Sequence, residues 1–277
     1  MQVHEPLSPQ AADAAGFDGG HRRTGYSLNV MGTRLTVAAA QSMSIRGKLD
    51  GNISRHLRLI DVAAAADVNL IVFPELSLTG YELDLASTLQ LARDDLRIEL
   101  LRRAAEEHDM HVLVGGPWSS GRDRPYLGAF LLSPERSSCY AKIHVHESEA
   151  EYFAPGERRC VVSINGVLVG IAICADTSHP SHAASAAERG AELYVACVMK
   201  TDAEYWGHAR NMKRYATRHG MAALTANYAG STGGLDSAGK SAFWDEQGNL
   251  VAQADSHGEA LVVARRDNGE WHGEVIT

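Results

Sequence analysis

The chain has 277 residues, 45% of them hydrophobic and 22% charged, enough apolar material for a large core and too much for intrinsic disorder over most of the length. Lys and Arg total 26 against 34 Asp and Glu, a formal charge of −8. That acidic balance excludes the electrostatic footprint of a nucleic-acid or anionic-membrane binder.

Residues 1–30 show neither helical nor strand period and read as a disordered extension, with Met31 a candidate natural start just ahead of the first strand-like run. They hold no apolar run of signal-peptide length, and no later run approaches the roughly 18 residues of a membrane span. Cys139, Cys160, Cys174 and Cys197 are dispersed and form no CxxC pair. A disulfide scaffold is therefore not expected, and a reducing, cytoplasmic compartment is.

From residue 34 onward strands and helices alternate. A buried strand is predicted over 35–40, a helix over 52–66 and a short strand over 69–73. A helix, broken somewhere, is predicted over 85–108 with Leu96, Leu100, Leu101 and Ala104 on one face. Residues 111–114 read as a strand closed by Gly115-Gly116. Strands are predicted over 127–132, 138–142, 161–164, 167–173, 193–197, 222–226, 241–244, 250–254 and 260–264. Helices are predicted over 181–189 and 204–219. Alternating strands and helices imply an α/β fold, and the runs of consecutive strands imply mixed sheets. No linker interrupts the chain after residue 34, so residues 31–277 read as one domain.

Three polar residues stand at the ends of apolar strands. Glu75 follows Leu70-Ile71-Val72-Phe73-Pro74, Lys142 follows Ser138-Cys139-Tyr140-Ala141, and Cys174 follows the run 167–173. Open α/β sheets build their sites beyond the carboxyl ends of strands, so the three can converge. A thiol attacks as thiolate and needs a base or a cation beside it. A buried carboxyl with a raised pKa can take the proton, and an ammonium can steady the thiolate and the oxyanion. The helix beginning near Pro180 adds a positive N-terminus close to Cys174. Taken singly, each residue also has an ordinary structural explanation: an inert buried thiol, a turn carboxylate, a solvated strand end.

Together the three stretches resemble a known family. Residues 73–81 (Phe-Pro-Glu-Leu-Ser-Leu-Thr-Gly-Tyr), 140–144 (Tyr-Ala-Lys-Ile-His) and 170–176 (Gly-Ile-Ala-Ile-Cys-Ala-Asp) resemble the glutamate, lysine and cysteine motifs of the nitrilase superfamily of carbon–nitrogen hydrolases, in that family's order. The resemblance runs over residues 34–264 and implies an α/β fold of αββα four-layer sandwich type with mixed sheets. It implies a triad of Glu75, Lys142 and Cys174, and a second glutamate before a Phe-x-Pro-Gly turn. The turn here is Phe153-Ala154-Pro155-Gly156, and Glu149 has the matching spacing; Glu147 and Glu151 are read as solvated neighbours. Ala175, through its backbone N–H, and Tyr81, Asp176 and His179 are further candidates for oxyanion or substrate contacts. Ala175-Asp176 departs from the Trp-Glu that follows the nucleophile in nitrilases proper, which leaves the substrate open.

The implied reaction is hydrolysis of a non-peptide carbon–nitrogen bond, an amide before a nitrile or an N-carbamoyl group, with no cofactor and no metal. A non-catalytic binding protein on the same fold is the alternative from another class. The expected partners are a small amide or nitrile substrate and a second copy of the chain, in a homodimer or higher homo-oligomer paired through the helices at 180–189 and 205–219. His144 and His146 lack a carboxylate or thiol cluster in register for a metal. The glycine-rich stretch 230–234 reads as a loop, and Trp118, Tyr126, Tyr205 and Trp206 as pocket or packing aromatics. Arg210, Lys213 and Arg214 are candidates to meet a substrate carboxylate.

Overall fold

This computed structural model describes residues 34–121 and 123–277, so the extension expected over residues 1–30 lies outside the described residues. In chain order the strands and helices are β1 (Leu35–Gln41), α1 (Leu49–Ala65), β2 (Leu70–Val72), α2 (Leu96–Glu107), β3 (His111–Trp118), β4 (Tyr126–Leu132) and β5 (Ser137–Ala141). Then follow β6 (Cys160–Ile164), β7 (Val167–Ile173), α3 (Pro180–Glu188), β8 (Leu193–Cys197), α4 (Asp202–His219) and β9 (Ala222–Ala226). The last strands are β10 (Ala242–Trp244), β11 (Leu250–Gln253), β12 (Ala260–Asp267) and β13 (Glu270–Ile276).

Two mixed sheets result. One is seven-stranded in the order β13-β12-β1-β2-β3-β4-β5, and the other six-stranded in the order β11-β10-β9-β8-β7-β6. β1, β2 and β3 are parallel, as are β7, β8 and β9, while the strands flanking each trio pair antiparallel. The period of two along each strand decides what it touches. In β1, Leu35, Val37 and Ala39 face the second sheet, while Ala38 and Ala40 pack with Leu49, Ile53 and Ile60 of α1. β2 divides the same way, Leu70 and Val72 inward and Ile71 toward the helices. Ala183 and Ala186 of α3 and Met212, Tyr215 and Ala216 of α4 cover the other sheet. The layers are helices, sheet, sheet, helices: the expected αββα sandwich.

Three local expectations need correction. The predicted helix over 85–108 is a 3₁₀ turn (Leu83–Leu85) and, after a loop, α2. Asp95 caps α2 by accepting the Arg97 N–H, so the helix starts there. Its buried face is Ile98, Leu101, Ala104 and Ala105, and Leu96 and Leu100 are exposed. The strand expected to close at Gly115-Gly116 runs through both glycines to Trp118, because β4 pairs with it along that whole length. β13 escapes the sequence reading: its side chains are mostly exposed, so no apolar alternation marks it.

Candidate active site

Glu75, Lys142 and Cys174 stand just beyond the carboxyl ends of β2, β5 and β7. After β2 the chain turns sharply, with Leu76 in the left-handed region at φ 54°. β3 passes directly beneath this turn. A Cβ on Gly115 would lie 2.3 Å from the Leu76 nitrogen and 2.5 Å from the Pro74 oxygen, so no other residue fits there. Tyr228 donates its hydroxyl proton to the Glu75 carbonyl at 2.7 Å, fixing the turn from the second sheet.

Glu75 and Lys142 are both fully buried and 2.7 Å apart, Nζ to Oε1. Nζ also reaches Glu149 Oε1 at 2.8 Å and Oε2 at 2.7 Å. The ammonium thus bridges two carboxylates, one oxygen of Glu75 and both oxygens of Glu149. Glu149, buried in the 3₁₀ turn Glu147–Glu149, further accepts the Tyr81 hydroxyl at 2.7 Å and the His146 N–H at 2.8 Å. The Phe153–Gly156 turn folds back on the lysine: the Gly156 N–H donates to the Lys142 carbonyl at 2.7 Å. A Cβ on Gly156 would meet the Ala141 oxygen at 2.3 Å, which explains the glycine.

Cys174 opens the 3₁₀ turn Cys174–Ser178 at φ 38°, a strained conformation for a non-glycine residue. Thr177 Oγ1 donates to the Cys174 carbonyl at 2.7 Å and Asp176 Oδ2 accepts the Ile173 N–H at 3.1 Å, so the turn is braced from both ends. The thiol is buried and directs its proton at the Met199 carbonyl, 3.6 Å away. Ala175 is second in the turn, where backbone N–H groups are free of helical bonds.

Burial lifts the Glu75 carboxyl to about 7, against the pull of the Lys142 ammonium. Burial works to push Lys142 down, but Glu75, Cys174 and Glu149 outweigh it and hold the ammonium above its ordinary value. Burial, reinforced by Glu75, pushes the Cys174 thiol up to about 12. Tyr81 is likewise raised by burial and by the carboxylates around it. The resting site is therefore a neutral thiol beside a carboxyl poised near neutrality.

Asp176 is engaged by its own chain. Its carboxylate accepts Tyr140 OH at 2.7 Å and both the backbone N–H and the ring of His144 at 2.9 Å. His179 is exposed and stacks on His144 with centroids 3.7 Å apart. Tyr81 lines a cavity of about 550 Å³ with Arg46, Glu82, Tyr152, Gly233 and Leu235, which none of the three strand-end residues lines. The 230–234 loop sits against it: Thr232 Oγ1 accepts the Tyr81 N–H at 2.8 Å. Trp118 and Tyr126 line a separate cavity that none of the three strand-end residues touches, Trp206 is exposed, and Tyr205 donates to the Lys240 carbonyl. Arg210, Lys213 and Arg214 line a shallow groove on the exposed side of α4, without any of the three strand-end residues. Among the described residues no cluster of three His, Cys, Asp or Glu side chains is placed to hold a metal.

The profile of the carbon-nitrogen hydrolase family matches residues 36–272. The chain belongs to the carbon–nitrogen hydrolases. An (R)-stereoselective amidase of a Pseudomonas species is 30% identical over 73% of this chain and 74% of that protein. A glutamine-dependent NAD(+) synthetase of Thermotoga maritima is 27% identical over 86% of this chain, which spans only 43% of that longer protein. The fold is shared with the amidase from Nesterenkonia sp. AN1, with TM-score 0.78 and 21% identity over 84% of this chain and 91% of that one; that structure shows covalent addition of the acetamide moiety of fluoroacetamide at the active site cysteine.

This hydrolase carries one further charged group that the sequence reading misses. Lys200 is buried just past β8, next to Met199, whose carbonyl the Cys174 thiol meets, and its Nζ lies 3.6 Å from Glu204 Oε1. The signal that could have found it is the one that finds the other three: a polar residue closing a fully apolar run, here 193–199.

Proposed function

We propose that this carbon–nitrogen hydrolase cleaves a small amide to an acid and ammonia or an amine through a thioester on Cys174. The observation that carries this reading is the state of Glu75. One carboxylate oxygen is held by Lys142; the other, Oε2, is buried with no hydrogen-bond partner among the described residues. A buried unpartnered acceptor is costly and marks a place where a proton is meant to arrive. The amidase relative supports the amide as substrate.

In the proposed mechanism Cys174 Sγ attacks the amide carbon as Glu75 takes the thiol proton. A thiol held at about 12 and a carboxyl at about 7 make this transfer uphill before attack, so bond formation and proton transfer run together. The carbonyl electron pair moves to oxygen, which the Ala175 N–H meets. Collapse expels the nitrogen with the proton from Glu75 and leaves the acyl group on sulfur. Glu75 then takes a proton from water, whose oxygen adds to the thioester, and the second collapse releases the acid and returns the proton to sulfur. Glu149 and Tyr81 keep Lys142 and Glu75 in register throughout. The chemistry calls for no cofactor.

The test is mass spectrometry of the protein exposed to a mixed library of small amides. An acyl increment on the Cys174 peptide, absent from Cys174→Ala, is expected. Turnover retained by that folded variant would end the proposal. Ammonia release from matched amide–nitrile and N-carbamoyl pairs assigns the substrate class. A homodimer or higher homo-oligomer through the α3–α4 layer, as the family resemblance implies, belongs to the same proposal and is read by light scattering. So does a cytoplasmic location, with which the four free thiols agree.

A further inference from the structure

Asp176 is fully buried, and its carboxylate takes four hydrogen bonds from its own chain. Oδ1 accepts the His144 backbone N–H and the His144 ring Nδ1, both at 2.9 Å. Oδ2 accepts the Tyr140 hydroxyl at 2.7 Å and the Ile173 N–H at 3.1 Å. Because Tyr140 gives its proton to a carboxylate, which only accepts, its oxygen is left to accept from His182 Nε2 at 2.9 Å. His182 Nδ1, in α3, in turn accepts the Tyr194 hydroxyl of β8 at 2.8 Å. The donors of this chain all run toward one carboxylate. Burial works to raise the Asp176 carboxyl, but the hydrogen bonds from His144 and Tyr140 hold it below its ordinary value, so it is ionised.

The donors matter for where they stand in the chain. Tyr140 and His144 lie two residues to either side of Lys142, while Ile173 directly precedes Cys174 and Asp176 follows it by two. β5, which leads to Lys142, is the edge strand of the seven-stranded sheet, and β7, which leads to Cys174, belongs to the six-stranded one. Strand pairing therefore does not set the lysine against the cysteine, and their register is left to side chains. Among the described residues, the hydrogen bonds that join residues 140–144 to residues 173–178 all end on the Asp176 carboxylate. The turn it holds on the far side carries Cys174 at φ 38°, a conformation that persists only where the surroundings over-determine it.

We propose that Asp176 is a positioning residue of this hydrolase: its carboxylate sets the register between the Lys142 segment and the Cys174 turn, and thereby the place of the sulfur relative to Glu75 and Lys142. The role rests on the proposed reading of Cys174 as nucleophile with Glu75 as its base. Asp176→Asn keeps the size of the side chain but cannot keep the bridge. Whichever way the amide sits, its NH2 group faces one of two backbone N–H groups, of Ile173 or of His144, and neither can turn to accept. One side of the seam is released, and a displacement of about 1 Å at a reacting atom costs about a hundredfold in rate.

The experiment measures kcat, KM and the iodoacetamide alkylation of Cys174, the last by mass of the Cys174 peptide, in wild type, Asp176→Asn and Tyr140→Phe, with a thermal melt to show which variants are folded. In Asp176→Asn, kcat for a small amide should fall about a hundredfold while KM changes less than about threefold. Alkylation of Cys174 should fall about tenfold, because a sulfur out of register loses its base. Removing a negative charge two residues from the sulfur would by itself favour the thiolate and speed alkylation, so a fall reports displacement and not lost charge. Tyr140→Phe removes one of the four ties and should lower kcat about fivefold; the double variant should be no slower than Asp176→Asn alone, because both act through one carboxylate. A raised KM with unchanged kcat would make Asp176 a substrate contact and overturn the proposal. So would faster alkylation of Cys174 together with the buried Cys197, the mark of a general loosening, and so would unchanged kcat and alkylation. Should Asp176→Asn not fold, an unchanged kcat in Tyr140→Phe overturns the proposal by itself. A wild type that turns over no amide would strike at the proposed function instead, and the alkylation rates would still decide the role of Asp176.

Discussion

The proposed base, Glu75, can take a proton only when ionised, and burial places its carboxyl near 7. The raised value fixes the sign of the pH dependence. Below about pH 7 the carboxyl holds its own proton, so kcat/KM should climb about tenfold per unit of pH and level off above the midpoint. Steady-state rates across pH check this; a profile flat from pH 5 to 8 would remove Glu75 from the proton transfer. Glu75→Gln keeps the size and the Lys142 contact but cannot take a proton. It should lower kcat/KM on the order of a hundredfold or more and abolish the acid limb. At this scale the sequence is legible where a polar residue ends an apolar strand, as Glu75, Lys142 and Cys174 do. Lys200 obeys the same rule yet carries no motif, and only its burial beside the Met199 carbonyl that the thiol meets brings it to notice. Asp176 shows the opposite failure. It sits two residues from Cys174 and its carboxylate is spent on Tyr140, His144 and the Ile173 N–H, which no spacing reveals.

Among the elements, β3 shows how sheet pairing overrides a local breaker. Two glycines and a proline would ordinarily end a strand. Here β4 pairs residue for residue with β3 through Trp118, and the missing side chain at Gly115 is what admits the Glu75 turn. The glycine is legible in the sequence, but its reason lies in a neighbouring loop some forty residues away in the chain. Gly115→Ala should therefore do two things at once. Its Cβ would meet backbone atoms of Pro74 and Leu76, which cannot step aside as a side-chain tip can. A cost of about 3 kcal/mol is expected, read as a lower urea midpoint. Activity should fall even where the variant is fully folded, because the displaced turn carries Glu75. An unchanged midpoint with full activity would mean the turn yields freely. Gly116→Ala is the control: its Cβ would meet only side-chain carbons at 3.3 Å and beyond, and it should be milder. Helices α1, α3 and α4 fall close to expectation because their apolar spacing and ends are local. α2 departs because two exposed leucines mimic a buried face.

For the molecule as a whole, period-two strands split between two cores give the sandwich, and this pattern is local enough to read. Which strands pair antiparallel, and which buried polar groups the layers enclose, depends on contacts distant in the chain. Three such groups govern the response to acid. His56 is buried under the Glu75 turn, against Ser77 Oγ and the Asn52 carbonyl. His182 lies between Tyr140 and Tyr194, and His208 between Thr177 and Thr225. Burial is the leading cause in each, and it pushes His56 and His182 down to about 4 and His208 to about 3. An unfolded histidine takes a proton near its ordinary 6.5, and a folded one with a depressed value does not. As pH falls through 6.5 the unfolded chain gains protons that the folded chain refuses, and stability drops. Glu75 works the other way. Raised from 4.5 to about 7, it binds its proton more tightly in the folded state and gains stability as pH falls through that window. Three histidines against one carboxyl leave a net loss on the order of 3 kcal/mol between pH 7 and pH 5. The salt-bridged carboxylates, among them Asp95, Glu99 and Glu204, are held low and add their losses only in stronger acid, through and below the ordinary carboxylate range. Urea unfolding at the two pH values reads the difference. Equal stabilities would mean that these imidazoles titrate in place, and with that the sealed interior beneath the Cys174 and Glu75 turns would have to be opened to water.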